Sequence, residues 1–152
     1  MLPSRKKLIL SILLLVVAIP TGYYLLSPLF VSVTVKEEAP AKSQSESIVL
    51  KMGNFVGADG FHQASGIAKM IRMADGSYVI RFEEFQATNG PDLYVYLASS
   101  TDASTFLNLG RLKGNIGSQN YEVPAGTNPS SFRYVLIWCR AFSVLFGYAE
   151  LA

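Results

Sequence analysis

Two side chains in this 152-residue chain join redox or soft-ligand chemistry to a single occurrence: Cys139, the only cysteine, and His62, the only histidine. Cys139 stands near the end of an apolar run, Tyr134-Val135-Leu136-Ile137-Trp138-Cys139-Arg140, which also holds the only tryptophan. A thiolate is the nucleophile of disulfide exchange, and thiolate and imidazole are both ligands that a haem iron or copper accepts. Free cysteine is equally a small core residue, so from the residues alone Cys139 is either core packing or the one redox-capable atom. Arg140 would favour the thiolate only across a kink, because in a flat strand it points to the opposite face. His62 reads either as a surface or capping residue or as a ligand.

Rival chemistry finds no pattern. A hydrolase triad would need a nucleophile elbow, but no Gly-x-Ser-x-Gly occurs, and Ser65-Gly66 reads as a turn. Glu83 and Glu84 are adjacent and should face opposite sides of a strand, which suits a solvated face better than a shared substrate. Gly110, Gly114 and Gly117 lack the strand-to-helix context of a dinucleotide fingerprint and read as turn glycines. No Cys-x-x-Cys, Cys-x-x-Cys-His or His-x-x-x-His is present, so no metal site is expected. An enzyme with its own substrate pocket is not the expectation. The candidates are Cys139 as the redox residue, and Cys139 with His62 as holders of any cofactor, whose identity the sequence leaves unknown, with haem or a metal as the options.

The elements that must position these residues begin with a long apolar segment. Leu8 to Val35 contains no charged residue, longer than the roughly 20 residues a membrane-spanning helix needs. Met1 to Lys7 and Leu8 to Ile19 also resemble the start and core of a secretory signal. Ala39-Pro40-Ala41 lies far downstream for a cleavage site, so an uncleaved signal-anchor is expected over a cleaved signal. Tyr23 and Tyr24 suit a membrane interface, and Pro20 should bend the helix. Arg5, Lys6 and Lys7 keep the N-terminus cytoplasmic by the positive-inside rule, placing the remainder outside. Three of the 13 Lys and Arg precede the apolar run and all 11 acids follow it. The remainder is therefore nearly neutral, and a nucleic-acid partner is not expected. One cysteine cannot close an intrachain disulfide, so an ordinary core must stabilise the exported part. The expected organisation is a basic cytoplasmic tail at 1–7, a single-pass transmembrane signal-anchor at 8–35, a flexible tether at 36–47 and an extracytoplasmic domain at 48–152.

Beyond the tether the signals are those of strands. Gly66 to Met73 and Tyr78 to Phe85 flank Ala74-Asp75-Gly76-Ser77, which suits a type I′ hairpin. Tyr78, Ile80 and Phe82 share one face, Arg81 and Glu83 the other. Leu93 to Leu97 is aliphatic on one face and tyrosine on the other. Tyr121 to Val123 makes a short strand, and Phe132 to Cys139 and Ser143 to Leu151 make two long ones. Asp102 to Leu109 is the one place for a short helical turn. About eight strands separated by Gly and Pro turns predict an all-β sandwich or barrel-like domain after one N-terminal helix.

Several segments together resemble the DM-thirteen domain, also called the electron-transfer DM domain. They are His62 with Gly66; Phe85 with Gly90-Pro91-Asp92-Leu93-Tyr94-Val95-Tyr96-Leu97; Leu112 to Tyr121; and Val135 to Phe142 with Phe146-Gly147. The resemblance runs from about Gly53 to Leu151. It implies a β-rich extracytoplasmic module of a kind found beside DOMON-type domains. It also implies a redox role at the family's cysteine position, here Cys139, as a bare thiol or as ligand to a group such as haem. His62 falls on the family's histidine position. The resulting expectation is a membrane-anchored electron-transfer module with a redox partner protein. The alternative is a cell-surface adhesion or interaction sandwich, with Tyr94 and Tyr96 as exposed contact residues and Cys139 as packing.

Overall fold

A computed structural model describes residues 5–40 and 47–152. The described residues form one α-helix, α1 (Arg5–Phe30), a single 3-10 turn at Pro129–Ser131, and nine strands: β1 (Thr34–Lys36), β2 (Ile48–Gly57), β3 (Ala64–Arg72), β4 (Tyr78–Ala87), β5 (Leu93–Ala98), β6 (Phe106–Arg111), β7 (Ile116–Val123), β8 (Tyr134–Cys139) and β9 (Val144–Glu150). All nine belong to one sheet in the order β1-β7-β4-β3-β2-β9-β8-β5-β6. The sheet curls into a half-barrel because β2 serves both halves. Its residues from Ile48 to Asn54 pair with β3, and Phe55 to Gly57 pair with β9.

Alternation along the strands sends one set of side chains into the concave face. Ile80 and Phe82 from β4, Val95 and Leu97 from β5, Val135, Ile137 and Cys139 from β8, and Ala149 from β9 are all completely buried there. Phe55, Phe82 and Phe85 meet with centroids 4.9–5.0 Å apart, in edge-to-face and tilted arrangements that aromatic quadrupoles favour. Phe82 and Phe85 are three apart and would face opposite sides of a regular strand. A bulge between them, with Glu84 at φ 49°, turns both inward. Glu83 is left facing Lys69 and Arg81, whose hydrogen bonds and charges hold its carboxyl below the usual range, burial opposing them.

Several expectations are redrawn. The hairpin between β3 and β4 is a three-residue loop: Gly76 N–H donates to the Met73 carbonyl, Met73 N–H to Ser77, and Gly76 alone takes positive φ. That is a type I turn with a bulge, where type I′ would also need positive φ at Asp75. Asp102 to Leu109 forms no helical turn. Asp102 Oδ1 instead closes a tight bend by accepting from Ser104 N–H, and Phe106 opens β6 against β5. Nor are Gly110 and Gly117 in turns: they lie within β6 and β7.

The expected boundary at residue 36 falls inside the folded part. Thr34–Lys36 pairs in parallel with β7, and Glu37 N–H donates to the Ser118 carbonyl. The Glu37 carboxylate accepts from Lys113 Nζ at 2.7 Å and from Asn120 N–H at 2.6 Å. Burial pushes that carboxyl up, but these hydrogen bonds and the charges of Lys113 and Arg81 hold it below its ordinary value. Arg81, only 7% exposed, donates through Nη1 to the carbonyls of Glu37 and Glu38 and to Asn120 Oδ1. Residues 41–46 of the expected tether, and residues 1–4 of the expected tail, lie outside the described residues.

The helix continues through Pro20. The neighbouring Thr21 hydroxyl donates back to the Val17 carbonyl one turn earlier. Arg5–Tyr23 is long and apolar enough to cross a membrane, and a signal sequence would meet the same criterion. Val31 to Val33 alone separate α1 from β1, and Val33 N–H donates to Asn115 Oδ1 at 2.7 Å.

Candidate functional site

Cys139 ends β8 because the strand pattern and its pairings both stop there. Its neighbours in register are Leu93 of β5 and Val144 of β9. Val135, Ile137 and Cys139 face the core, while Leu136 belongs to the small cluster on the other face with Trp138 packed against it. The thiol is 0% exposed and unpaired. Arg140 goes elsewhere: its N–H donates to the Asp92 carbonyl, its Nε meets Asp92 Oδ2 at 3.1 Å, and its guanidinium lies 4.4 Å from the Tyr94 ring centre. Its charge is therefore committed to Asp92 on the outer face and does not serve the thiol. Asp92 also meets Arg111 at 3.2 Å, so one carboxylate ties the ends of β6 and β8 to the start of β5.

His62 lies in the loop between β2 and β3, held by Asp59. Asp59 Oδ1 accepts from Phe61 N–H and His62 N–H, each at 2.7 Å, and Oδ2 meets His62 Nδ1 at 2.7 Å. Ala58 N–H donates back to the His62 carbonyl, and Gln63 Nε2 donates to the Asp59 carbonyl. The hydrogen bond to His62 and those from the two backbone N–H groups bring the Asp59 carboxyl down to about 2. An ionised carboxylate can only accept, so Nδ1 carries the proton and Nε2 is left as the acceptor of the neutral ring. The ring rests on Phe146 with centroids 4.4 Å apart.

One end of the half-barrel holds both residues, separated by the wall of a cleft. A cleft of about 330 Å³ is lined by Phe61, His62, Thr88, Asn89, Gly90, Pro91, Phe142, Val144 and Phe146. Phe146 carries the His62 ring, and Val144 is the strand partner of Cys139. Cys139 itself lies behind the wall. A haem or metal gripped jointly by Cys139 and His62 does not fit this arrangement, since the thiol has no surface in the cleft. Among the described residues no three His, Cys, Asp or Glu side chains gather to hold a metal ion.

The other segments singled out above have structural duties. Gln119 is completely buried: its Nε2 donates to the Gly114 carbonyl, while its Oε1 accepts from Gly114 N–H and from the Tyr121 hydroxyl. The Tyr121 oxygen in turn accepts from Lys113 N–H at 3.0 Å, and burial raises the Tyr121 hydroxyl pKa well above its ordinary value. Tyr96 is only 4% exposed, stacked under Phe106 at 4.1 Å with Trp138 alongside, so it is no free contact residue. Sequence reasoning missed Asp59 and Asp92 as organising carboxylates. The available signals were an Asp three residues before the sole His and an Asp that begins a strand.

No curated protein and no solved structure matches this chain. The model of one family, described as electron transfer DM13, matches residues 54–151, which includes β3 to β9, Cys139 and His62. An electron-transfer-related role comes with that match. The chain therefore belongs to the electron transfer DM13 family.

Proposed function

We propose that this chain is a membrane-anchored, extracytoplasmic electron-transfer module that turns over no substrate of its own, and that its redox-active end is the one shared by Cys139 and the Asp59–His62 pair. The observation that carries the reading is the wall of the cleft. Val144, paired to Cys139, and Phe146, in tilted ring contact with His62, line it together. His62 supplies the one imidazole among the lining residues, its Nδ1 held by Asp59. The three basic residues at the N-terminus support the orientation, with the β domain outside.

In this reading Cys139 works as a bare thiol. Its Sγ, deprotonated, attacks a disulfide of a partner protein, and a mixed disulfide forms as the partner's second sulfur leaves as a thiolate. The partner disulfide is the oxidant, and a second external thiol resolves the product. Access requires that the Arg140–Ser143 turn and Val144 move aside, a local opening of the kind that strand ends undergo well below the cost of global unfolding. The test is native-state labelling of the full chain with a small methanethiosulfonate reagent. The expected rate is slow, insensitive to low denaturant, and faster in Val144→Ala than in Leu97→Ala, a core truncation remote in sequence from the turn. Labelling that follows global unfolding in both variants would sink the proposal.

A second reading, a displayed interaction module, has its own observation. Ile48, Leu50, Met52 and Val56 are exposed along β2, a more accessible apolar strip than Tyr94 and Tyr96. Replacing Cys139 by serine separates the two readings, because an interaction module keeps its cellular function without the thiol.

A further inference from the structure

We propose that the end of the domain carrying the His62 cleft rests on the bilayer, with Phe61 and Phe142 inserted at the membrane interface. The inference rests on the reading of α1 as a retained membrane span. Phe61 and Phe142 are 87% and 70% exposed, and both line the cleft. The β domain exposes three phenylalanines among the described residues, and these are two of them; the third is Phe106. Apolar aromatic side chains held out from loops beside a cleft mark an interaction surface, and Phe is among the side chains that interfacial segments bury at the headgroup–acyl boundary.

What identifies the occupant is the way the domain is joined to its own anchor. Only Val31 to Val33 separate α1 from β1, and the last of these is hydrogen-bonded to Asn115. The domain therefore cannot drift from the helix end while β1 stays paired. The Asn89–Pro91 turn shares a recess with Tyr23 and Ser27 of α1, and Tyr23 is where the membrane-compatible stretch ends. The same three residues, Asn89, Gly90 and Pro91, also line the His62 cleft together with Phe61 and Phe142. The turn thus lies beside the end of the span, and the cleft that carries the two phenylalanines adjoins it through these shared residues. Phe106 stands at the other end of β6 from Arg111, about 17 Å away by strand rise. That places it on the side away from the membrane.

The bilayer consequently covers the mouth of the cleft, and whatever reaches His62 comes along the membrane surface. The test uses the full chain in phosphatidylcholine nanodiscs, with Trp138→Phe removing the native fluorophore and Phe61→Trp, Phe142→Trp or Phe106→Trp supplying one reporter at a time. All three positions are solvent-exposed, so the substitutions leave the core intact. With brominated acyl chains in the lipid, emission from positions 61 and 142 should be blue-shifted and lost, while emission from 106 persists. Chain recovered with the discs but equally unquenched at all three positions would overturn the docking alone. Equal quenching at all three would overturn it as well, because the contact would then not be specific to the cleft end. A chain that fails to migrate with the discs would refute the anchor and the docking together.

Discussion

At the residue scale, the chemistry of this domain turns on what surrounds two side chains. Cys139 is enclosed by aliphatic and aromatic neighbours with no hydrogen-bond partner among the described residues. Truncation to alanine removes one sulfur from a tight site and should cost on the order of 1–2 kcal/mol. Serine keeps the volume but buries a hydroxyl where nothing can accept its proton, which adds about 1–3 kcal/mol. Urea unfolding of Cys139→Ala and Cys139→Ser should therefore rank serine as the less stable, and the reverse order would mean that the thiol site is polar. Asp59 shows the opposite situation, an exposed carboxylate surrounded by donors. Its folded value of about 2 lies below the ordinary 3.8, so its contribution to the loop is complete above 3.8 and is lost as pH falls through about 2. A carbon-13 titration of the carboxyl should find this depressed value, and His62→Ala should move it back towards 3.8. An unchanged value in the variant would show that the two backbone N–H donors suffice.

At the scale of elements, β1 is the informative strand. It is short, parallel to β7, and seated against glycines. At Gly117, with φ 108°, a Cβ would lie only 2.0 Å from the Val35 carbonyl oxygen. Gly117→Ala should therefore both strain its own backbone and push β1 off the edge. Hydrogen exchange should show the Glu37 amide, which donates to Ser118, losing protection while the β4 amides facing β3 keep theirs. Retained protection at Glu37 would mean that β7 shifts to accommodate the methyl group. The bulge at Glu84 and the register shift opposite it in β3 are likewise properties of paired strands, and they let two phenylalanines three residues apart share one core.

Over the whole molecule, the helix and the β domain are joined without a free linker, since Val31 to Val33 alone separate α1 from β1. Arg81 is nearly buried and depends on the carbonyls of Glu37 and Glu38, so the segment after the helix completes a polar site inside the sheet. A chain that begins at residue 48 would leave that guanidinium with Asn120 and Glu83 alone. It should be less stable than one beginning at residue 31 by about 2–3 kcal/mol, the scale for hydrogen bonds to a charged group. Equal urea midpoints would show that water replaces the lost carbonyls without penalty. The same continuity brings the Asn89–Pro91 turn, and with it the His62 cleft, close to the end of the helix.

Much of this was legible in the chain itself. Period-two alternation in Tyr78–Phe82 and Leu93–Leu97 assigned those strands, because burial follows side-chain parity along a strand; Val135–Cys139 is apolar throughout, so only the fold shows that Cys139 faces the core. The uncharged run after Lys7 marked the helix, since nothing but hydrophobicity and length is needed to see it. Other features depend on contacts that no local pattern encodes. Thr34–Lys36 joins the sheet through backbone hydrogen bonds to residues some eighty positions away, and such bonds are indifferent to side-chain type. Glu84 bends β4 only because its partners fix the register on both sides. Arg140 abandons its neighbour for Asp92, and His62 reaches the wall behind which Cys139 is buried, because the curl of the sheet brings the β2–β3 loop to the start of β9.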